Sequence, residues 1–67
     1  MNYFVITWDW KEDPDIESID QALKKFKRPA VTQVDTGGDC HGVVVCERSN
    51  AHRAQELFDK EMEELSK

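Results

Sequence analysis

The run Gly42-Val43-Val44-Val45-Cys46 contains no polar side chain. Its β-branched residues suit a strand. Successive side chains of a strand point to opposite faces, so Val43 and Val45 share one face while Gly42, Val44 and Cys46 share the other. A strand that is apolar on both sides requires cover on both sides. Any fold for these 67 residues must therefore place this segment centrally and supply apolar material to each of its faces.

The flanking sequence supplies the other elements. A first strand is predicted from Tyr3 to Trp10, with Phe4, Ile6, Trp8 and Trp10 on the core face and Tyr3, Val5, Thr7 and Asp9 on the other. Asp13 is placed as a helix N-cap with Pro14 at the first helical position. Ile16, Ile19, Leu23 and Phe26 then recur at spacings of three and four, one apolar stripe of a helix that runs to about Lys27 and stops at Pro29. A second strand follows from Ala30 to Asp35. Thr36-Gly37-Gly38-Asp39 is a turn signal, and the third strand spans His41 to Glu47. Ser49 or Asn50 caps a second helix, whose apolar face is Ala51, Ala54, Leu57, Phe58, Met62 and Leu65.

This order predicts one α+β domain over residues 1–67: a ferredoxin-like β-α-β-β-α sandwich lacking the final strand. The expected sheet is three-stranded and antiparallel, with the first strand beside the third, the second hairpin-paired to the third, and two helices on one face. The other sheet face is then left open, and the missing strand leaves an open edge. A chain of this length buries little core alone. A homodimer is expected to cover the open face, with Tyr3, Val5, Val43 and Val45 at the interface.

Composition narrows the function classes. Hydrophobic residues are 39% and charged residues 34%, a globular rather than disordered balance. The longest apolar run is far short of a membrane span of about 20 residues. The opening residues lack a basic start and a small-residue cleavage site, so a cytoplasmic location is expected. Fourteen acidic against nine basic residues give a net charge of −5, which argues against a general phosphate-binding surface and makes nucleic acid an unlikely partner. The local cluster Lys24, Lys25, Lys27 and Arg28 is read as helix-dipole complementation in a last turn. Cys40 and Cys46 are expected to be free thiols; if both lie on one extended strand they are roughly 20 Å apart, and a bridge would require Cys40 in a loop that folds back.

Three groups of residues could carry chemistry. Asp9, with Glu12, Asp13 and Asp15 close behind, is a candidate divalent-metal ligand; a solvated acidic loop with a helix cap explains the same residues. Cys40 and His41, with Asp35, Asp39, Cys46 and His52, are chemically able to bind zinc, but the spacing lacks the two close pairs of a structural site. Trp8, His41 and Cys40 are candidates to line a small-ligand cavity, with His41 as a general base. No serine or paired carboxylate sits at a spacing that supports a hydrolytic triad, and no cofactor is implied.

Two resemblances accompany these residues. The strand Tyr3 to Asp9, ending in an aspartate, resembles the start of the small CRISPR-associated endoribonucleases and their toxin relatives, which are ferredoxin-like dimers; that resemblance implies a metal-binding role for Asp9 alone. The whole pattern resembles small bacterial domains of unknown function of the dimeric α/β-barrel form. It rests on Tyr3-Phe4-Val5-Ile6-Thr7-Trp8, the Gly-rich turn, Gly42-Val43-Val44-Val45-Cys46-Glu47 and the helix from Asn50 to Phe58. The function expected is a homodimeric binding or interaction module without catalysis. The alternatives are a small-ligand-binding or cofactor-free enzyme, an acidic nucleic-acid mimic of the kind mobile elements encode, and a metal nuclease using Asp9.

Overall fold

The computed structural model describes residues 2–67. Its elements are β1 (Tyr3–Asp9), α1 (Ile16–Leu23), β2 (Pro29–Val34), β3 (Cys40–Glu47), a 3-10 segment (Arg48–Arg53) and α2 (Ala54–Leu65). The class is α+β. One three-stranded sheet has the order β1-β3-β2, with both pairings antiparallel. Tyr3 faces Cys46 and Asp9 faces Cys40 across the first pair; Pro29 faces Glu47 and Val34 faces Gly42 across the second.

Local chemistry sets the ends of these elements. The N-cap of α1 is Asp15 rather than Asp13. Its carboxylate accepts from the Ser18 backbone N–H at 3.2 Å and from the Ser18 hydroxyl at 2.9 Å, whereas the residue three beyond Asp13 is Ile16, which has no hydroxyl to donate. The β2–β3 turn is closed by Asp35, whose carboxylate accepts from Gly37 N–H at 2.9 Å, and Gly37 takes the positive φ of 69° that the turn requires. The Glu47 carboxylate spans the backbone N–H groups of Lys27 and Arg28 at 2.8 and 3.1 Å and so ties the α1–β2 connection to the end of β3. Ser49 and Asn50 do not cap a helix. They lie in the 3-10 segment, and α2 starts at Ala54 without a side-chain cap.

The central strand is sealed on both sides. Val43, Val44, Val45 and Cys46 are 7, 0, 0 and 0% exposed. Val44 and Cys46 pack with Val34 against Ala54, Leu57 and Phe58 of α2, with Tyr3, Val5 and Met62 at the margin. Val45 points the other way, beside Phe4 of β1. The Phe4 ring meets Phe26 edge-on at 5.8 Å, just past α1, and Phe4 and Ile6 share a cleft with Ser18, Gln21 and Ala22 of α1. The two helices therefore lie on opposite faces, α1 over Phe4, Ile6 and Val45 and α2 over Val5, Val44 and Cys46. This corrects the expectation that both occupy one face. Three strands at about 4.8 Å spacing make a sheet too narrow for two helices, each about 10 Å across, to lie side by side.

The interface expectation changes with it. Tyr3 and Val5 face α2, Val43 and Val45 face the α1 side, and Val43 and Val45 are buried within the chain. The four residues do not form one outward surface. Trp10, expected in the core, is 57% exposed: β1 ends at Asp9, and Trp10 begins the turn that follows although its N–H still reaches Asp39 C=O. Its ring carries the Lys11 ammonium 5.7 Å from its centroid.

A hydroxyl introduced on either face of β3 is thus buried without a built-in partner. Val44→Thr and Val45→Thr should each cost about 1–3 kcal/mol in urea unfolding. A neutral Val45→Thr would show that its face is open. The Tyr3 hydroxyl donates to Glu61 at 3.1 Å and joins β1 to α2. Partial burial, then the bond to Glu61, hold its pKa above the ordinary value of about 10. The folded chain keeps this proton more tightly, so the contribution to stability is complete below about pH 10 and falls as pH rises through the folded-state value. Tyr3→Phe should cost about 1 kcal/mol at neutral pH and flatten that alkaline loss.

Candidate interaction surfaces

The length of α1 determines what its face of the sheet leaves uncovered. Eight helical residues reach about 12 Å, whereas the eight residues of β3 span about 26 Å. Beyond α1, a depression of about 320 Å³ is lined by Trp8, Glu12, Pro14, Gln33, His41 and Val43. Trp8 and His41 are directly opposite in the β1–β3 register, with ring centroids 5.8 Å apart and planes tilted by 32°. The β1–α1 connection supplies Glu12 and Pro14, which hydropathy alone did not mark.

The structure brings together two of the three cavity candidates. Trp8 and His41 share the depression; Cys40 precedes His41 on β3 and points to the opposite face. The lining contains one imidazole and one carboxylate, and no hydroxyl or thiol. Ser–His or Cys–His chemistry lacks its nucleophile there. A flat, largely apolar floor with Gln33, His41 and Glu12 around it is suited to stacking and hydrogen bonding.

The other candidates disperse. The Asp9 carboxylate accepts from Lys11 N–H at 2.9 Å and its carbonyl accepts from Glu12 N–H at 2.9 Å, so Asp9 closes the turn that ends β1. Among the described residues no three His, Cys, Asp or Glu side chains converge in a way that would hold a metal ion. Both cysteines are free thiols; Cys46 is buried, and burial raises its pKa, which opposes thiolate formation. Among the described residues, no helix is long and apolar enough to cross a membrane.

The two sheet edges differ in a way that the sequence order did not reveal. Arg48 N–H bonds to Arg28 C=O at 2.8 Å and continues the β2–β3 register, so the backbone groups of Ala30, Thr32 and Val34 turn inward to β3. The groups at Pro29, Val31, Gln33 and Asp35 turn outward. Pro29 has no N–H to offer. At the far end, Asp35 N–H donates to Gln55 Oε1 at 2.8 Å and Gln55 Nε2 donates to Asp35 C=O at 2.9 Å. The Gln55 amide thus occupies the place of a neighbouring strand, and β2 is blunted at both ends.

The β1 edge has no such guard. Trp10 N–H bonds to Asp39 C=O at 3.2 Å and continues the β1–β3 register, so Phe4, Ile6 and Trp8 turn their backbone groups to β3. Those of Tyr3, Val5 and Thr7 point outward, with no partner among the described residues. Tyr3-Phe4-Val5-Ile6-Thr7 has no charge and no proline, the devices that usually protect an edge. The cleft between β1 and α1, about 210 Å³ and lined by Phe4, Val5, Ile6, Ser18, Gln21, Ala22 and Lys25, runs beside it.

No family model, curated protein or solved structure matches the chain.

The role of Gln55 can be checked directly. Gln55→Ala should lower stability by about 1 kcal/mol and speed exchange of the Asp35 amide, which loses its acceptor. An unchanged Asp35 exchange rate would show that the contact does not persist in solution.

Proposed function

We propose that this protein is a non-catalytic interaction module that works as a homodimer. The observation that supports it is the unguarded β1 edge. Tyr3, Val5 and Thr7 offer backbone donors and acceptors with no partner among the described residues, on an uncharged stretch of β1, whereas the β2 edge is blunted by Pro29 and Gln55. Unpaired strand edges are templates for another strand. The dimer is no longer expected to bury the faces of β3, since α1 and α2 already cover them. An edge contact buries less than the roughly 1,200–2,000 Å² of a standard interface, so association is expected to reverse on dilution.

The Trp8–His41 depression favours a second reading, the binding of a small flat ligand by stacking. It is compatible with a dimer, because the depression lies beyond α1 and not along the β1 edge.

Light scattering on a concentration series tests the first reading. The mass should rise from that of one chain towards that of two over the micromolar to millimolar range. A constant single-chain mass throughout would remove it.

A further inference from the structure

We infer that the occupant of the β1 edge is β1 of a second copy, antiparallel and centred on Val5, which joins two sheets into one of six strands. The inference rests on the proposed homodimer and specifies its geometry.

By the same parity Asp9 also points outward, but its carbonyl already accepts from Glu12 N–H at 2.9 Å, so the outward residues that can exchange both bonds are Tyr3, Val5 and Thr7, which are symmetric about Val5. In an antiparallel pair, the residues that face each other with both bonds exchanged recur at every second position. With Val5 facing Val5 of the second copy, Tyr3 faces Thr7 and Thr7 faces Tyr3. Each of these residues then satisfies its free N–H and C=O, and no outward group between Tyr3 and Thr7 is left over. A shift of one residue would set outward groups against inward ones and satisfy none.

Charge favours the same place. Two chains of net charge −5 repel each other, and the uncharged stretch Tyr3 to Trp8 lets their backbones approach with no like charge before Asp9 at the end of the strand. The side chains are compatible as well. Phe4 lies beside Ile6 of the second copy on the α1 side, next to the apolar cleft at Phe4, Ile6 and Ala22. Val5 lies beside Val5 on the α2 side.

The blunted β2 edge selects a closed dimer. Head-to-tail pairing of β1 with β2 of another copy would propagate into a filament. Pro29 withholds a donor from that pairing, and Gln55 already occupies Asp35. The twofold β1–β1 contact uses one edge from each chain and stops.

Hydrogen exchange on the unmodified protein, from dilute solution to about 1 mM, reads this arrangement, alongside light scattering on the same samples. The amides of Tyr3, Val5 and Thr7 should slow at least tenfold as the dimer fills, while those of Val31 and Gln33 stay unchanged. In a dimer mixed from labelled and unlabelled chains, a cross-chain contact should connect the Hα protons of Phe4 and Ile6, which face each other at the closely spaced positions. A dimer in which these three amides remain fast would overturn the β1 pairing and leave the homodimer standing. Slowed amides with a different cross-chain contact would overturn the Val5-centred register. A single-chain mass at every concentration would overturn both the pairing and the homodimer.

Discussion

The burial of β3 on both faces is the constraint from which the rest follows. Val44 and Cys46 need one cover and Val45 another, because consecutive side chains cannot share a face. With two helices available, each must take one face. A narrow sheet makes that division possible, since one helix of about 10 Å diameter suffices to cover most of the width of three strands. Gly42 fits this packing. A Cβ there would sit 2.8 Å from the Thr36 Cγ2, and Thr36 is held in place by donating its hydroxyl to Cys40 C=O at 2.7 Å.

With both faces of β3 covered internally, the backbone at the sheet edges becomes the next candidate surface. A three-stranded sheet has two edges, and this chain treats them differently. Gln55 and Glu47 each reach across the fold and use a side chain to satisfy main-chain groups, at Asp35 and at Lys27 and Arg28. Both contacts lie on the β2 side of the sheet. On the β1 side, among the described residues, the comparable long-range tie is the Tyr3–Glu61 hydrogen bond, which engages a side chain rather than the edge. The asymmetry is therefore one of hydrogen-bond satisfaction, not of hydrophobicity.

Much of the fold was legible because periodicity and turn chemistry are local. The three strands and the hairpin at Thr36 to Asp39 follow from short stretches, and the place of the first strand beside the third from the crossover rule applied to the element order. The assignment of faces was not legible. Tyr3, Val5, Phe4 and Ile6 are all apolar enough for either side, and one residue of register decides whether Tyr3 meets Cys46 or Val45. Only the three-dimensional pairing fixes that parity. Trp10 was misassigned for a related reason: alternation in the sequence continues past the point where the strand ends. Trp8 and His41 were legible as cavity candidates by residue type, but their meeting depends on register too, and Glu12, Pro14 and Gln33 carry no signal of a shared depression. The Gln55 and Glu47 contacts connect residues about twenty positions apart, beyond any local pattern.

The case for association has a different physical basis from the one the sequence suggested. An exposed valine face would have driven tight association by apolar burial, at about 25 cal/mol per Å². Val43, Val44 and Val45 are already spent on the chain's own stability, and their burial is no longer available between copies. Backbone hydrogen bonds at an edge exchange water for protein partners and yield little net energy apiece. They are, however, directional and fixed in register, so they specify orientation more strongly than they supply affinity. Paired edges of this kind would be reversible and geometrically defined rather than permanent, and the depression at Trp8 and His41 lies apart from them.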